Sequence, residues 1–281
     1  MVLESLISPW RAETNPKLLL VHGFIYASLG LLMGSWIFSE HTSLMMVFLT
    51  TMAAIPLIYN IVKIEEKKDL TEINEKNLLK EHSKALLVFM NYFFGATIAF
   101  AFWYIMLPGN QSLFTVQIST IMGLRGNATG NAYTLGNIFW DILSNNLKVL
   151  IFCVLFSFIY GIGAIFILTW NASVIGVAIG DTIKTGIYQI GADLHIFTGH
   201  QYLSAISYGL LRYSLHGIME ILAYFVAGLA GGIISTAVIR HDFGTKRYEK
   251  IILDSSVLMI LSLALVVVAA VVEVYITPLI F

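Results

Sequence analysis

The sequence predicts an all-α protein that crosses a membrane about seven times. Of its 281 residues, 58% are hydrophobic and only 12% are charged, and the mean hydropathy is +0.82. An ordinary soluble domain carries roughly 25% charged residues. The apolar residues fall in blocks of about 20, the length a helix needs to cross about 30 Å of hydrocarbon. Because these blocks lack the alternation typical of barrel strands, we expect a polytopic α-helical transmembrane bundle.

Seven apolar runs account for the crossings, and charged or proline-bearing stretches separate them. Asp181 and Lys184 interrupt the fifth run, so its assignment depends on the orientation of its neighbours. The amino terminus has no short apolar core followed by a small-residue cleavage site, so we do not expect a cleaved signal peptide. The runs cover residues 18–38, 43–62, 85–107, 147–170, 172–190, 208–239 and 255–276.

Lysine and arginine placement predicts the orientation in the cell membrane. Residues 63–84 contain six lysines and residues 240–250 contain four basic residues, whereas Arg125 is the single basic residue of 108–146. The two basic segments are therefore expected in the cytoplasm. The chain between them must then cross an even number of times, which favours four crossings and retains the fifth run. Seven spans place the amino terminus in the cytoplasm and the carboxyl terminus outside.

These patterns divide the chain into three parts. Residues 1–62 are expected to form an amino-terminal helical pair, 63–84 a charged cytoplasmic linker, and 85–281 a membrane core with an outward segment at 108–146. The linker also holds six acidic residues, with pairs such as Glu72 and Lys76 at helical spacing. We interpret it first as a solvated helical connector. The apolar stretches 113–124 and 138–143 are too short to span, so they are expected at the outer interface or packed over the helices.

Several functions find no support in the composition or motifs. A formal net charge of −1 and the lack of an extended basic patch argue against a nucleic-acid partner. Cys153, the single cysteine, lies in an apolar run and is read as a core residue. The sequence has no HExxH, GxSxG, Walker or Rossmann fingerprint. We expect no catalytic residues, no metal and no cofactor.

Polar side chains within the apolar runs are the candidate site, because charged groups in hydrocarbon are costly and usually functional. His216 and Glu220 are four residues apart, hence on one helix face. Glu273 stands near the end of the last run, and with the predicted topology it lies toward the same outer leaflet. Asn171 opens the fifth run and is a further candidate, or a helix cap.

Three interpretations of His216, Glu220 and Glu273 remain open. The first is a buried hydrogen-bonded cluster that fixes the register of the helices. The second is a transport or lipid-handling site in which the carboxylates relay protons or bind a head group. The third is a metal-dependent intramembrane hydrolase, although the usual three-ligand, histidine-rich set is not evident.

Small residues predict where helices approach closely. The stretch after Glu220 is rich in alanine and glycine, and it aims the carboxylate into the bundle. Glycines four apart recur at Gly30 and Gly34 and at Gly176 and Gly180. We expect these crossings within one chain, with a homo-oligomer as the alternative. The helix-packing candidates around the polar site are Gly217, Gly228, Gly231 and Gly232.

Three motifs follow one another in the second part of the chain. They are Trp170-Asn171-Ala-Ser-Val-Ile-Gly176 after Tyr160-Gly161-Ile-Gly163, then His216-Gly217-Ile-Met-Glu220, then Glu273-Val-Tyr-Ile-Thr277-Pro278. In their order and spacing, the chain resembles the stage II sporulation protein M family of membrane proteins, over approximately residues 85–278. The resemblance implies a multi-helix membrane component. The family's namesake in endospore formers acts as a membrane scaffold beside peptidoglycan-degrading partners during engulfment, whereas many relatives have no assigned activity.

We therefore expect a noncatalytic integral membrane scaffold or assembly component with a buried His/Glu polar cluster. The alternative is a small membrane transporter or lipid-handling protein that uses the same carboxylates. Membrane lipids are the expected partners, and the linker and the outward segment are the candidate surfaces for a protein partner. No residue identifies a sporulating source, so the sporulation role is not carried over.

Overall fold

The protein is a bundle of long helices. The structure, a computed structural model, describes residues 8–71, 75–107, 109, 112–127, 135–160, 163–194, 199–239 and 244–280, and every regular element within them is helical, as predicted. In chain order these are α1 (Pro9–Thr14), α2 (Lys17–Ile37), a 3₁₀ turn (Ser39–His41), α3 (Thr42–Thr71), α4 (Glu75–Met106), α5 (Thr115–Asn127), α6 (Leu135–Tyr160), α7 (Ala164–Leu194), α8 (Gly199–Ile239), α9 (Lys246–Val271), a π-helical turn (Val272–Ile276) and α10 (Thr277–Ile280).

Seven helices among the described residues are long and apolar enough to cross a membrane, which confirms the predicted number. They lie in α2, α3, α4, α6, α7, α8 and the segment from α9 to α10. The interrupted fifth run is real: α7 continues through Asp181, whose Oδ1 accepts a hydrogen bond from the Tyr104 hydroxyl at 3.3 Å. Pairing with a neighbouring helix explains how an acidic side chain persists there.

The boundary between the fourth and fifth spans differs from the prediction. We expected the turn near Trp170, but α6 ends at Tyr160 and α7 begins at Ala164. The Ser157 hydroxyl accepts a hydrogen bond from the Ala164 N–H at 3.3 Å, and a Cβ at Gly163 would overlap the Phe156 carbonyl. A glycine is therefore required where the chain reverses.

The same shift corrects the predicted outward segment. Residues 138–143 were expected to be too short to span, but α6 begins at Leu135, so they form its first turns. The stretch 113–124 largely forms α5, which packs over the bundle. The Gln117 side chain is fully buried, and its Nε2 donates to the Ser43 carbonyl at 3.0 Å and to Ser173 Oγ at 3.1 Å. These contacts tie α5 to α3 and α7.

The tightest described seam joins α2 to α4. A Cβ at Gly95 would overlap the Leu20 carbonyl, and one at Gly23 would overlap the Tyr92 carbonyl. Further along the seam, Trp103 Nε1 donates to Ser28 Oγ at 2.9 Å. Because the two backbones touch without intervening side chains, dispersion contacts rather than hydrophobic burial hold this pair together in lipid.

Contacts between helices fix their directions. α2, α4 and α7 run in parallel, since residues later in one helix meet residues later in the next, while α3 is antiparallel to α2. α6 and α8 run opposite to α7, and α9 returns after a short connection. Residues 63–84 and the start of α9 therefore share one end of the bundle, which we call the charged end. α5 lies at the other end, the cap end.

Candidate functional site

The predicted polar cluster forms around Glu220. This residue lies on α8, and its Oε1 accepts a hydrogen bond from Asn146 Nδ2 on α6 at 2.5 Å. Asn146 is buried, with 6% of its surface exposed. A carboxyl group in a membrane helix is thereby satisfied by an amide of the adjacent helix, as buried polar groups require.

His216 lies one helical turn before Glu220 and faces α9. Its Nε2 is 3.9 Å from Oε1 of Glu273, which is within ion-pair range and too long for a hydrogen bond. Its Nδ1 is 3.4 Å from Oγ1 of Thr277. The Glu273 carboxyl also interacts with that of Glu220. The cluster therefore joins α6 and α8 to the residues that follow α9 through side-chain contacts.

A π-helical turn positions Glu273 and Thr277. The N–H of Thr277 bonds to the Val272 carbonyl, five residues back, and its hydroxyl donates to the same oxygen at 3.1 Å. Pro278 follows directly; proline has no N–H, and its ring clashes with the carbonyl four residues earlier in a regular helix. The wide turn removes this conflict. Single π-turns are frequent at functional sites, and this one lies where the two polar side chains face α8.

The cluster is only partly enclosed. The side chain of His216 is 13% exposed and that of Glu273 is 30% exposed, whereas Thr277 is buried. No described residue lies within 4 Å of a Cβ built at Gly217, next to His216. The arrangement can bind and exchange a proton, and it can pair with a cationic group that approaches Glu273. Among the described residues, no group of three or more His, Cys, Asp or Glu side chains has the geometry to bind a metal.

The structure brings together three of the four predicted polar residues. Asn171 lies within α7 rather than at a helix start, so the prediction of a helix cap there is wrong. Its Nδ2 donates to the Ile167 carbonyl of the same helix at 2.8 Å. Its place in a shared site stays a prediction. Sequence reasoning missed Asn146 and Thr277, although Pro278 was a signal for an irregular turn.

The predicted packing glycines separate into two groups. A Cβ at Gly228 would be 2.9 Å from the Ala164 Cβ, and one at Gly231 would be 2.9 Å from the Val154 carbonyl. These glycines let α8 approach α7 and α6. Gly232 is buried as well. Gly217 makes no such approach to any described residue, so its predicted packing role is not supported.

A second polar network lies at the charged end, where the sequence suggested a solvated connector. Glu65 and His82 are 0% and 2% exposed, and Glu65 Oε2 is 2.7 Å from His82 Nδ1. Lys68 Nζ reaches Glu65 at 2.6 Å, Glu13 of α1 at 3.0 Å and Glu81 at 3.5 Å. Burial raises the pKa of the Glu13 carboxyl, against the lowering effect of Lys68. The pair Glu72–Lys76 lies outside the described side chains.

Both described ends of the predicted linker are therefore structural elements of the bundle. The network joins α1, α3 and α4, and α3 and α4 continue as helices to Thr71 and from Glu75. The buried side chains of Glu65 and His82 contradict the interpretation of a purely solvated connector.

Comparison with known proteins confirms the predicted family resemblance. The family model described as Stage II sporulation protein M matches residues 85–278. An uncharacterised protein of Methanocaldococcus jannaschii is 32% identical over 143 residues, which cover 50% of this chain and 71% of that protein. No solved structure matches the chain. With the seven apolar helices, the family match identifies a multi-pass membrane protein. The chain belongs to the stage II sporulation protein M family.

Proposed function

We propose that this chain is a noncatalytic membrane scaffold or assembly component whose His/Glu cluster holds the helix bundle in register. The observation that carries the proposal is the hydrogen bond between Asn146 and Glu220, together with the contacts of His216 to Glu273 and Thr277. Polar side chains that satisfy one another across three helices are typical of a structural cluster. The cluster lies at the end of the last apolar helix, beyond the packing of α9 along α8, so its loss is expected to loosen the carboxyl-terminal end of that helix.

The lysines indicate how the scaffold is oriented. Residues 63–84 and the start of α9 share the charged end, and basic residues favour the cytoplasmic side. We infer that this end is cytoplasmic and that the carboxyl terminus is outside. The surface formed by residues 63–84 would then face soluble partners, and α5 would face partners outside the cell.

A double-mutant cycle tests the structural role of the cluster. Asn146→Ala and Glu220→Ala are each expected to lower the free energy of unfolding by about 1–2 kcal/mol, because each leaves a polar partner unsatisfied. The two effects should be coupled by about 1 kcal/mol. The measurement is unfolding in mixed detergent micelles titrated with sodium dodecyl sulfate. Asn171→Ala is the matched control, since the amide of Asn171 bonds within its own helix and to no other described helix, and its effect should stay below about 0.5 kcal/mol. Additive effects at Asn146 and Glu220 would contradict the proposal.

A second candidate function is a small transporter or lipid-handling protein that uses the same carboxylates. The partial exposure of Glu273 favours it, because an incoming group can reach this carboxyl from outside the bundle. Intramembrane carboxylates with such access are typical of proton-coupled carriers.

Glu273→Gln separates the two candidates. If the protein is a scaffold, liposomes that contain the wild type or the variant should both show the same pH-driven proton flux as protein-free liposomes. For a carrier, the wild type should dissipate an imposed pH gradient and the variant should lose that flux while its melting temperature changes by less than about 3 °C. Wild-type flux that Glu273→Gln abolishes would reject the scaffold as the complete function.

A further inference from the structure

On the first three helices at the charged end, most basic side chains are exposed and the neighbouring acidic side chains are buried. Arg11 of α1, Lys17 of α2 and Lys63 of α3 are exposed. The neighbouring acids Glu13 and Glu65 have side-chain exposures of 6% and 0%, because the buried network around Lys68 holds them inward. A segment that looks balanced in sequence therefore presents mostly positive charge on this surface.

Helix α1 adds an apolar element to this surface. Ala12 is fully buried against the bundle, whereas Trp10 is 71% exposed beside Arg11. Ser8 caps the helix, accepting a hydrogen bond from the Arg11 N–H at 3.3 Å. Tryptophan is enriched where a membrane meets water, since its ring is apolar and its N–H is polar. α1 therefore has the character of a short interfacial helix held in place by Glu13.

Two of the three cations, Lys17 and Lys63, lie where apolar helices begin or end, and Arg11 lies on α1 just before α2. Lys17 is the first residue of α2, whose exposed surface continues with Leu20 and Val21. Lys63 directly follows the apolar run of α3, and its Nζ lies 4.4 Å from the ring centre of Tyr59. A lysine stacked on an aromatic ring at the end of an apolar run is placed to reach lipid headgroups.

We propose that Arg11, Lys17 and Lys63 form a binding site for the phosphate headgroups of anionic phospholipids at the charged end of the bundle. A guanidinium and two ammonium groups supply the donors, and the exposed apolar surface of α2 receives the acyl chains. This continuity of charge with apolar surface favours a lipid over a soluble acidic protein. The family match begins at residue 85, so the site belongs to a part of the chain that the family model does not cover.

Native mass spectrometry of the full chain, released from detergent with equal amounts of phosphatidylglycerol and phosphatidylcholine, tests the proposal. The wild type should retain phosphatidylglycerol preferentially. Each basic residue near a membrane surface contributes about fivefold in affinity. In the triple variant Arg11→Gln, Lys17→Gln, Lys63→Gln, the ratio of bound phosphatidylglycerol to bound phosphatidylcholine should therefore fall at least tenfold. The matched control is Lys148→Gln with Lys184→Gln, which removes two exposed lysines of α6 and α7 and should keep it.

Two further arms make the outcome decisive. Because the three side chains are exposed, the triple variant should melt within about 3 °C of the wild type, so loss of lipid is not loss of fold. Inorganic phosphate at the concentration of the lipid should leave phosphatidylglycerol bound. A preference unchanged in the triple variant, lost equally in the control, or abolished by inorganic phosphate would overturn the lipid site.

Discussion

Gly95→Ala is expected to cost about 3 kcal/mol or more in free energy of unfolding, among the largest effects of any single methyl group in this protein. The new Cβ would overlap the Leu20 carbonyl, a backbone atom that no side-chain rotation can move. α2 must therefore shift away from α4 along its whole length. The measurement is unfolding with sodium dodecyl sulfate, supported by the yield of monodisperse protein after purification.

The control is the same substitution at a glycine without such a neighbour. Gly217→Ala adds a methyl group where no described residue lies within 4 Å, so it should not destabilise the protein; helix propensity alone favours alanine there by about 0.5–1 kcal/mol. A loss at Gly217 as large as that at Gly95 would show that the close approach of α2 does not determine the cost.

Lys68→Met is expected to destabilise the charged end by about 3–5 kcal/mol, because it leaves buried carboxylates without their shared cation. Lys68 contacts Glu13, Glu65 and Glu81, and Glu65 is fully buried. Lys63→Met in the same helix serves as the control, since Lys63 is exposed and should cost less than about 0.5 kcal/mol. Hydrogen exchange should rise in α1 and at the ends of α3 and α4 in the Lys68 variant alone. If Lys68→Met lowers the free energy of unfolding by less than about 1 kcal/mol, the network does not stabilise the bundle and the segment is a solvated connector.

The number of spans and the central polar pair could be predicted because both follow from simple repeats. A crossing helix needs about 20 apolar residues, and positions four apart share a helix face. His216 and Glu220 therefore had to lie together whichever helix packed against them. The close approach at Gly228 and Gly231 follows from the same logic, since small residues there admit a neighbour.

The turn between α6 and α7 could not be placed from hydropathy. The chain stays apolar across this turn, so no charged residue marks the point where it reverses. Trp170 and Asn171 are residues typical of a membrane–water interface, and we therefore placed the turn there rather than at Gly163. The determinant is local: the Ser157 hydroxyl accepts from Ala164, and Gly163 permits a backbone approach. Such contacts are invisible to a count of apolar residues.

The burial of Glu65 and His82 could not be predicted from the sequence either. Charged runs normally face water, and whether one face turns inward depends on what packs against it. Here α1, a six-residue helix, supplies Glu13 to the Lys68 ion pair. The cluster around Glu220 was found only in part for a similar reason: its partner Asn146 lies 74 residues away in sequence, and no periodicity links them.

The seam between α2 and α4 bears on how the chain could be divided. The family match starts at residue 85, which invites a shortened protein that begins there. Such a fragment would keep α4 but lose α2, whose backbone packs against Gly95. That face of α4 would then be exposed to the acyl chains. α2 is therefore an integral part of the bundle, which the family match covers only in part, and truncation at residue 85 would remove one side of the packing around α4.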